Sequence, residues 1–322
     1  MRASRHAFGT CLSALVAVPV LLAVGTSAAQ ADDCPDADAA TQAFTRGDLQ
    51  SLRQMSRTAT VAPCPPGFRN WIRVAVARVA TAGIAGNPPA DIHKAAAPPE
   101  LAALQLDVPQ PLVLEALGDG YRAAGHYAAA AMAYQRAMTL LADTGQSWQD
   151  FDPGPGFVRM IHQKMEEARL LSPTHVPVDL DPATQRKGGY ALGSVRGFNP
   201  TVRREPIAFE TDSTELTDDG EKTVSQLVER LLNENPDIVT VVGHADERGE
   251  EGYNEALSER RAAAIAEKIR EAGFSGNVTA IGRGESQPFP IDGRNALPLE
   301  DQWRLDRRVE ICVGLATATC GG

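Results

Sequence analysis

Aromatic residues make up only 5% of this 322-residue chain, and positive charge falls short of negative, with 31 Lys and Arg against 41 Asp and Glu. The net charge of −10 would repel a polyanion unless a local basic patch overrode it, so nucleic acid is not an expected partner. Five cysteines are present but no Cys-x-x-Cys pair, which leaves redox catalysis and a Cys-rich zinc site without support. The six histidines form no HExxH, and neither GxSxG nor a P-loop occurs. No catalytic residue, cofactor or metal is therefore expected, and the chain is read as a non-enzyme. Its first half also lacks the repeated ~10-residue alternating strands of a membrane β-barrel. What is present, 43% hydrophobic and 22% charged residues, suits a globular protein with two modest cores.

Arg2 and Arg5, an apolar run from about Leu12 to Val24, and Ala29-Gln30-Ala31 stand in the order of an export signal with its small-x-small cleavage site. Residues 1–31 are expected to be removed, with no transmembrane segment after cleavage, because the run is shorter than the ~20 residues that span hydrocarbon. They carry two Arg and no acid, so the charge goes from −10 to −12 over the remaining 291 residues. Neither Cys11 nor Cys34 has the apolar-small-small context of a bacterial lipid anchor. Four cysteines remain, an even number that fits an oxidising compartment, and proximity favours Cys34–Cys64 and Cys312–Cys320.

A weakly patterned stretch rich in Pro and Gly, 172–200, reads as a linker between a helical region (32–171) and a second domain (201–316), with a tail at 317–322. In the first region, 39–55, 71–82 and 157–171 have helical spacing. Leu117, Gly118, Tyr121, Gly125, Tyr127, Ala130, Tyr134 and Ala137 fall at the intervals of a helix hairpin, with small residues at the crossing and tyrosines beside them. Residues 112–142 thus resemble one tetratricopeptide repeat, which flanking helices must cap.

From residue 206 the period changes. Residues 206–209 read as a strand, a helix follows Thr217, and 238–242 is a β-branched run typical of a strand covered on both faces. A second helix spans about 251–272, with strands at 278–281 and 309–313. The expected class is α+β: a βαβαββ-like α/β sandwich preceded by a separate all-α, tetratricopeptide-like region.

Gly243-His244-Ala245-Asp246 closes the buried strand; Asn254-x-x-Leu257-Ser258-x-x-Arg261-Ala262, Gly282-x-Gly284-Glu285 and Arg307-Arg308-Val309 follow in order. Together these resemble the OmpA C-terminal-like family, whose peptidoglycan-binding domains carry GHTD, NxxLSxxRA, GxGExxP and NRRV. The resemblance covers roughly 206–314. It implies an OmpA-like fold and noncovalent binding of the cell-wall stem peptide through the ammonium and carboxylate of diaminopimelate. Asp246 would meet the ammonium, Arg261 the carboxylate, and Asn254 would support them. A ligand with both charges needs a carboxylate and a guanidinium held apart, and Arg contacts a carboxylate in bidentate fashion. Arg307 and Arg308 are both candidates, expected on opposite sides of the chain. Ala245 departs from the family threonine and Asp306 from its asparagine. A fold-stabilising Asp246–Arg261 salt bridge without ligand would use the same two residues, and His244 reads as a packing residue.

These readings describe an exported protein of the periplasm, associated with the outer membrane or wall of a Gram-negative bacterium. It would tether a helical module to peptidoglycan and present that module to an envelope protein partner. One alternative is a periplasmic adaptor that works through its Tyr121/Tyr127/Tyr134 face, with a weak or vestigial wall site. The other is a wall-metabolising enzyme.

Overall fold

The first helix break falls where a glycine and a capping acid coincide. The computed structural model describes residues 34–62, 64–85, 108–143, 145, 151–178, 195–198, 200–291, 293–315 and 320. The expected export signal, much of the expected linker and most of the tail lie outside the described residues. Helix α1 (Ala37–Thr45) stops before Gly47, which has φ +69°, and Asp48 caps α2 (Leu49–Val61) by accepting from the Ser51 backbone N–H at 3.1 Å. The single helix expected over 39–55 is therefore two. Next come α3 (Pro66–Ala85), α4 (Gln110–Ala123), α5 (Tyr127–Ala142) and α6 (Pro155–Leu171).

The α4–α5 hairpin crosses as its spacing predicts. A Cβ on Gly118 would come within 2.7 Å of Tyr134 Cδ1, and Gly125 makes the turn at φ +78°. The tyrosine face that the adaptor alternative required is internal, however. Tyr121 and Tyr134 are buried, and half-buried Tyr127 donates its hydroxyl to Asp301 at 2.7 Å. Among the polar groups here, Lys164 of α6 donates to Glu115 and Asp119 of α4, and the Tyr134 hydroxyl donates to Asp119 at 2.7 Å. One polar knot thus joins three helices.

The second half is a four-stranded mixed sheet. Its strands are β1 (Val202–Glu205), β2 (Ile238–Gly243), β3 (Asn277–Gly282) and β4 (Val309–Val313), in spatial order β1-β4-β2-β3. Strands β2 and β3 are parallel and β4 runs antiparallel to β1 and β2. The helices are α7 (Asp218–Glu234), capped by Thr217, α8 (Glu251–Glu271) and α9 (Leu299–Asp306). Helix α9 separates β3 from β4, so the order is βαβαβαβ where the sequence reading had βαβαββ.

The first strand is also displaced, to 202–205 from 206–209. Pro206 has no N–H to give a ladder, and Phe209 makes only an isolated bridge to Leu216. Val202-Arg203-Arg204-Glu205 does not read as a buried strand, yet Arg203 and Glu205 are buried because neighbouring helices supply their counter-ions. Glu205 is paired with Arg169 of α6 and Arg230 of α7, Arg203 with Glu234, and Arg204 with Glu166 and Glu310. Leu170 and Leu171 of α6 pack with Phe289 and Leu305. The helical region therefore rests directly on the sheet domain. Expected linker residues also lie against the structured parts: the His175 N–H donates to Asp219, and Arg196 Nε donates to the Leu141 carbonyl.

The β-branched run in β2 is covered on both faces, as expected. Val239 and Val241 face the helices, while Val242 packs with Cys312 and Cys320. Both disulfides form with the expected pairing, with Cα–Cα distances of 5.2 Å for Cys34–Cys64 and 5.9 Å for Cys312–Cys320. Cys34 is thereby committed to a disulfide. Replacing Cys312 and Cys320 by serine should lower the unfolding free energy by about 2–3 kcal/mol, and replacing Cys34 and Cys64 by about 3–4 kcal/mol, as read from urea denaturation.

Candidate binding cleft

Three close backbone approaches build the site. A Cβ on Gly243, at the end of β2, would collide with the Ser258 carbonyl oxygen of α8, and one on Gly282 would come within 2.7 Å of Ser258 Oγ. Gly284 has φ +51°, and its N–H donates to Ser258 Oγ at 2.9 Å. Gly284 serves turn chemistry, whereas Gly282 is required by contact with α8. The motif glycines bring the ends of β2 and β3 onto the first half of α8, which carries Asn254 and Arg261.

The cleft so formed has a volume of about 720 Å³, and Asp246, Asn254, Arg261, Arg307 and Arg308 all lie in its wall. Their roles differ. Asp246, in the loop after β2, is buried and accepts from Arg307 at 2.6 Å and from the Arg248 side chain at 3.0 and 2.8 Å. Burial pushes its carboxyl pKa up, but hydrogen bonds from Arg248 and Arg307 outweigh this and hold it below the usual value. Asn254 is buried, and the two hydrogens of its amide nitrogen are shared among the Asp246 and Arg248 carbonyls, both at 3.1 Å, and Glu285 at 2.6 Å. It fixes the loop that carries Asp246.

Arg261 is held differently. Its guanidinium donates to the Ser213 carbonyl at 2.9 Å and the Glu210 carbonyl at 3.3 Å, and lies 4.8 Å over the Phe209 ring. Among the described residues it has no carboxylate partner, and burial pushes its pKa down. Asp246 pairs with Arg248 and Arg307, so the ligand-free Asp246–Arg261 salt bridge is not formed.

The two adjacent arginines separate as expected, although at a helix C-terminus and not on a strand. Arg307, which follows α9, reaches Asp246 and also donates to Glu300 at 3.0 Å. Arg308 is buried, donates to Glu310 at 2.9 Å and to the Gln287 carbonyl, and stacks on Phe289. Its guanidinium serves the fold. Asp306 is likewise structural: it accepts from the Phe289 N–H at 2.8 Å and from Arg294 at 3.1 Å. Buried Ala245 needs no hydroxyl to hold the loop, because its N–H donates to the Gly284 carbonyl at 2.8 Å. His244 is buried against Glu310 at 3.7 Å, and burial lowers its pKa, in keeping with a packing role.

Sequence reasoning missed Arg248 and Trp303. Arg248 lies two residues after Asp246, a spacing that allows a local carboxylate–guanidinium pair, and its guanidinium sits 4.4 Å over the Trp303 ring. Trp303 belongs to α9, the helix that was not foreseen. Among the described residues no cluster of His, Cys, Asp and Glu has metal-site geometry, and no helix is long and apolar enough to cross a membrane.

Comparison with known proteins agrees with this construction. The model of the OmpA family matches residues 208–296. The outer-membrane lipoprotein YfiB of Pseudomonas aeruginosa is 39% identical over 108 residues, which are 33% of this chain and 61% of that protein. The peptidoglycan-associated lipoprotein of Rhizobium meliloti is 33% identical over 125 residues, 38% of this chain and 70% of that one. The crystal structure of the peptidoglycan-associated lipoprotein from Burkholderia pseudomallei is 24% identical and covers 33% of this chain and 86% of its own, with a TM-score of 0.28. This chain spans less than two thirds of YfiB, and the family-model match covers β2, β3, α7 and α8 with Asp246, Asn254 and Arg261. Through that C-terminal domain the chain belongs to the OmpA family.

Proposed function

We propose that this is a non-enzymatic envelope protein of the bacterial periplasm that binds peptidoglycan noncovalently, with a diaminopimelate-containing stem peptide in the Asp246/Arg261 cleft. One observation carries the reading. Arg261 is a partly buried guanidinium without a carboxylate partner among the described residues, in the same cleft as an ionised carboxylate. Such a site suits a ligand with a carboxylate and an ammonium a few bonds apart, and the resemblance to wall-binding domains supplies the ligand's identity. Asp246 would take the ammonium and Arg261 the carboxylate, with Arg307 steadying Asp246 and Asn254 the loop. Each stem would be held weakly, and many stems on one sacculus would raise avidity. The helical region, docked through α6, would travel with the wall-bound domain as one piece.

Cosedimentation with purified sacculi tests this. Wild type should pellet, while Arg261→Ala and Asp246→Ala should lose about 10–100-fold in affinity, the size of one charge-assisted hydrogen-bonded contact. Equal pelleting of folded wild-type and variant proteins would remove the cleft from the function. Release of soluble muropeptides by the purified protein would make it an enzyme.

A further inference from the structure

The acceptor capacity of Asp246 is already full. A carboxylate offers about four lone-pair sites. Oδ1 accepts from the Arg248 backbone N–H and from Arg248 Nε, both at 3.0 Å. Oδ2 accepts from Arg248 Nη2 at 2.8 Å and from Arg307 Nη1 at 2.6 Å. An ammonium group cannot be accepted by this carboxylate until one of those donors leaves.

We propose that the Arg248 guanidinium is a displaceable internal ligand that occupies the ammonium seat of the cleft and must swing off Asp246 before an amine-bearing ligand binds. This deepens the peptidoglycan reading and rests on it. Arg248 is the donor free to leave. Its side chain is 51% exposed, against 32% for Arg307, and Arg307 is also tied to Glu300. Departure of the guanidinium opens one lone pair on each Asp246 oxygen, facing the cleft. The Arg248 N–H stays on Oδ1 and Arg307 stays on Oδ2, so the carboxylate remains oriented and ionised. The face of Trp303 backs the guanidinium in the closed state. That contact favours closure and sets part of the cost of opening.

The closed pair sets a threshold for entry. Only a cation that outcompetes a bidentate guanidinium is admitted, and a stem peptide whose amine is blocked gains nothing by displacing it. The lost closure energy of an exposed bidentate pair with one ring contact corresponds to a roughly 5–30-fold penalty on ligand affinity.

The test is calorimetric titration of the purified full chain with a soluble stem tripeptide containing diaminopimelate. Arg248→Ala should bind it roughly 5–30-fold more tightly than wild type, and Trp303→Leu, which keeps Arg248 but removes its backing, should tighten binding by a smaller factor. In wild type, the Arg248 Nε–H resonance should be slow to exchange without peptide and lose that protection when peptide is added. If wild type binds and Arg248→Ala binds equally or less well while the Nε–H stays protected, Arg248 is a fixed part of the site and the displacement is wrong. If neither wild type nor Arg248→Ala binds the tripeptide, the peptidoglycan reading of the cleft falls and this inference falls with it. Binding by Arg248→Ala alone would support displacement in its strongest form.

Discussion

Glu205→Ala is expected to cost about 3–5 kcal/mol, because it removes the buried carboxylate that the Arg169 and Arg230 guanidiniums share. Glu205 lies on β1, Arg169 on α6 and Arg230 on α7, so the loss should loosen the helical region from the sheet as well as the sheet from its helix. Urea denaturation followed by Trp fluorescence and far-UV circular dichroism should find a lower midpoint, with the two signals no longer coincident. Coincident transitions with an unchanged midpoint would mean that the buried pairs do not join the two parts.

The same carboxylate makes stability depend on acid. Burial would raise the pKa of Glu205, but Arg169 and Arg230 overcome burial and hold it at about 2, below the usual glutamate value of 4.5. Its folded-state pKa is depressed, so its stabilisation is complete above about pH 4.5 and is lost as pH falls toward 2. Glu310, also held at about 2, acts with the same sign. Unfolding free energy should therefore fall steeply between those two values, and Glu205→Gln, though less stable at neutral pH, should show a flatter acid limb.

Tyr134→Ala is the second large effect, also about 3–5 kcal/mol. Tyr134 is fully buried, its ring lies against Gly118, and its hydroxyl donates to Asp119. Alanine would leave a cavity at the α4–α5 crossing and remove one donor from Asp119. Tyr134→Phe keeps the ring and should cost only about 1 kcal/mol, because Lys164 still serves Asp119. Thermal unfolding measured on both variants separates packing from hydrogen bonding. If Tyr134→Ala were nearly neutral, the crossing would be looser than the Gly118 contact requires.

Much of the site was legible because its chemistry is local in sequence. Asp246 ends a β-branched run, and Asn254 and Arg261 share one helix seven residues apart, so alternation and helical period alone put them at one edge of the domain. The cysteine pairs were readable from proximity, and the hairpin crossing from small residues opposite tyrosines. Strand β1 was not readable. Its Val-Arg-Arg-Glu pattern is that of a surface segment, and only the arrival of Glu166, Arg169, Arg230 and Glu234 from distant helices makes its burial affordable. The single helix drawn over 39–55 missed the stop at Gly47, although glycine followed by aspartate is itself a local signal.

The sequence by itself determined the α+β class and the order of motifs, because these follow from short-range period, capping and turn chemistry, while the resemblance carried by those motifs pointed to Asp246 and Arg261. Only the tertiary structure decided which charges are used and which are left over. Pairing depends on side chains brought together across tens to more than a hundred residues, as with Arg204 and Glu310, and sequence spacing carries no information about such approaches. That is why the chain alone left Arg307 and Arg308 equivalent, whereas folding turned one toward Asp246 and committed the other to Glu310. It is also why Arg261, one arginine among many in the sequence, emerges from the fold without a carboxylate partner among the described residues.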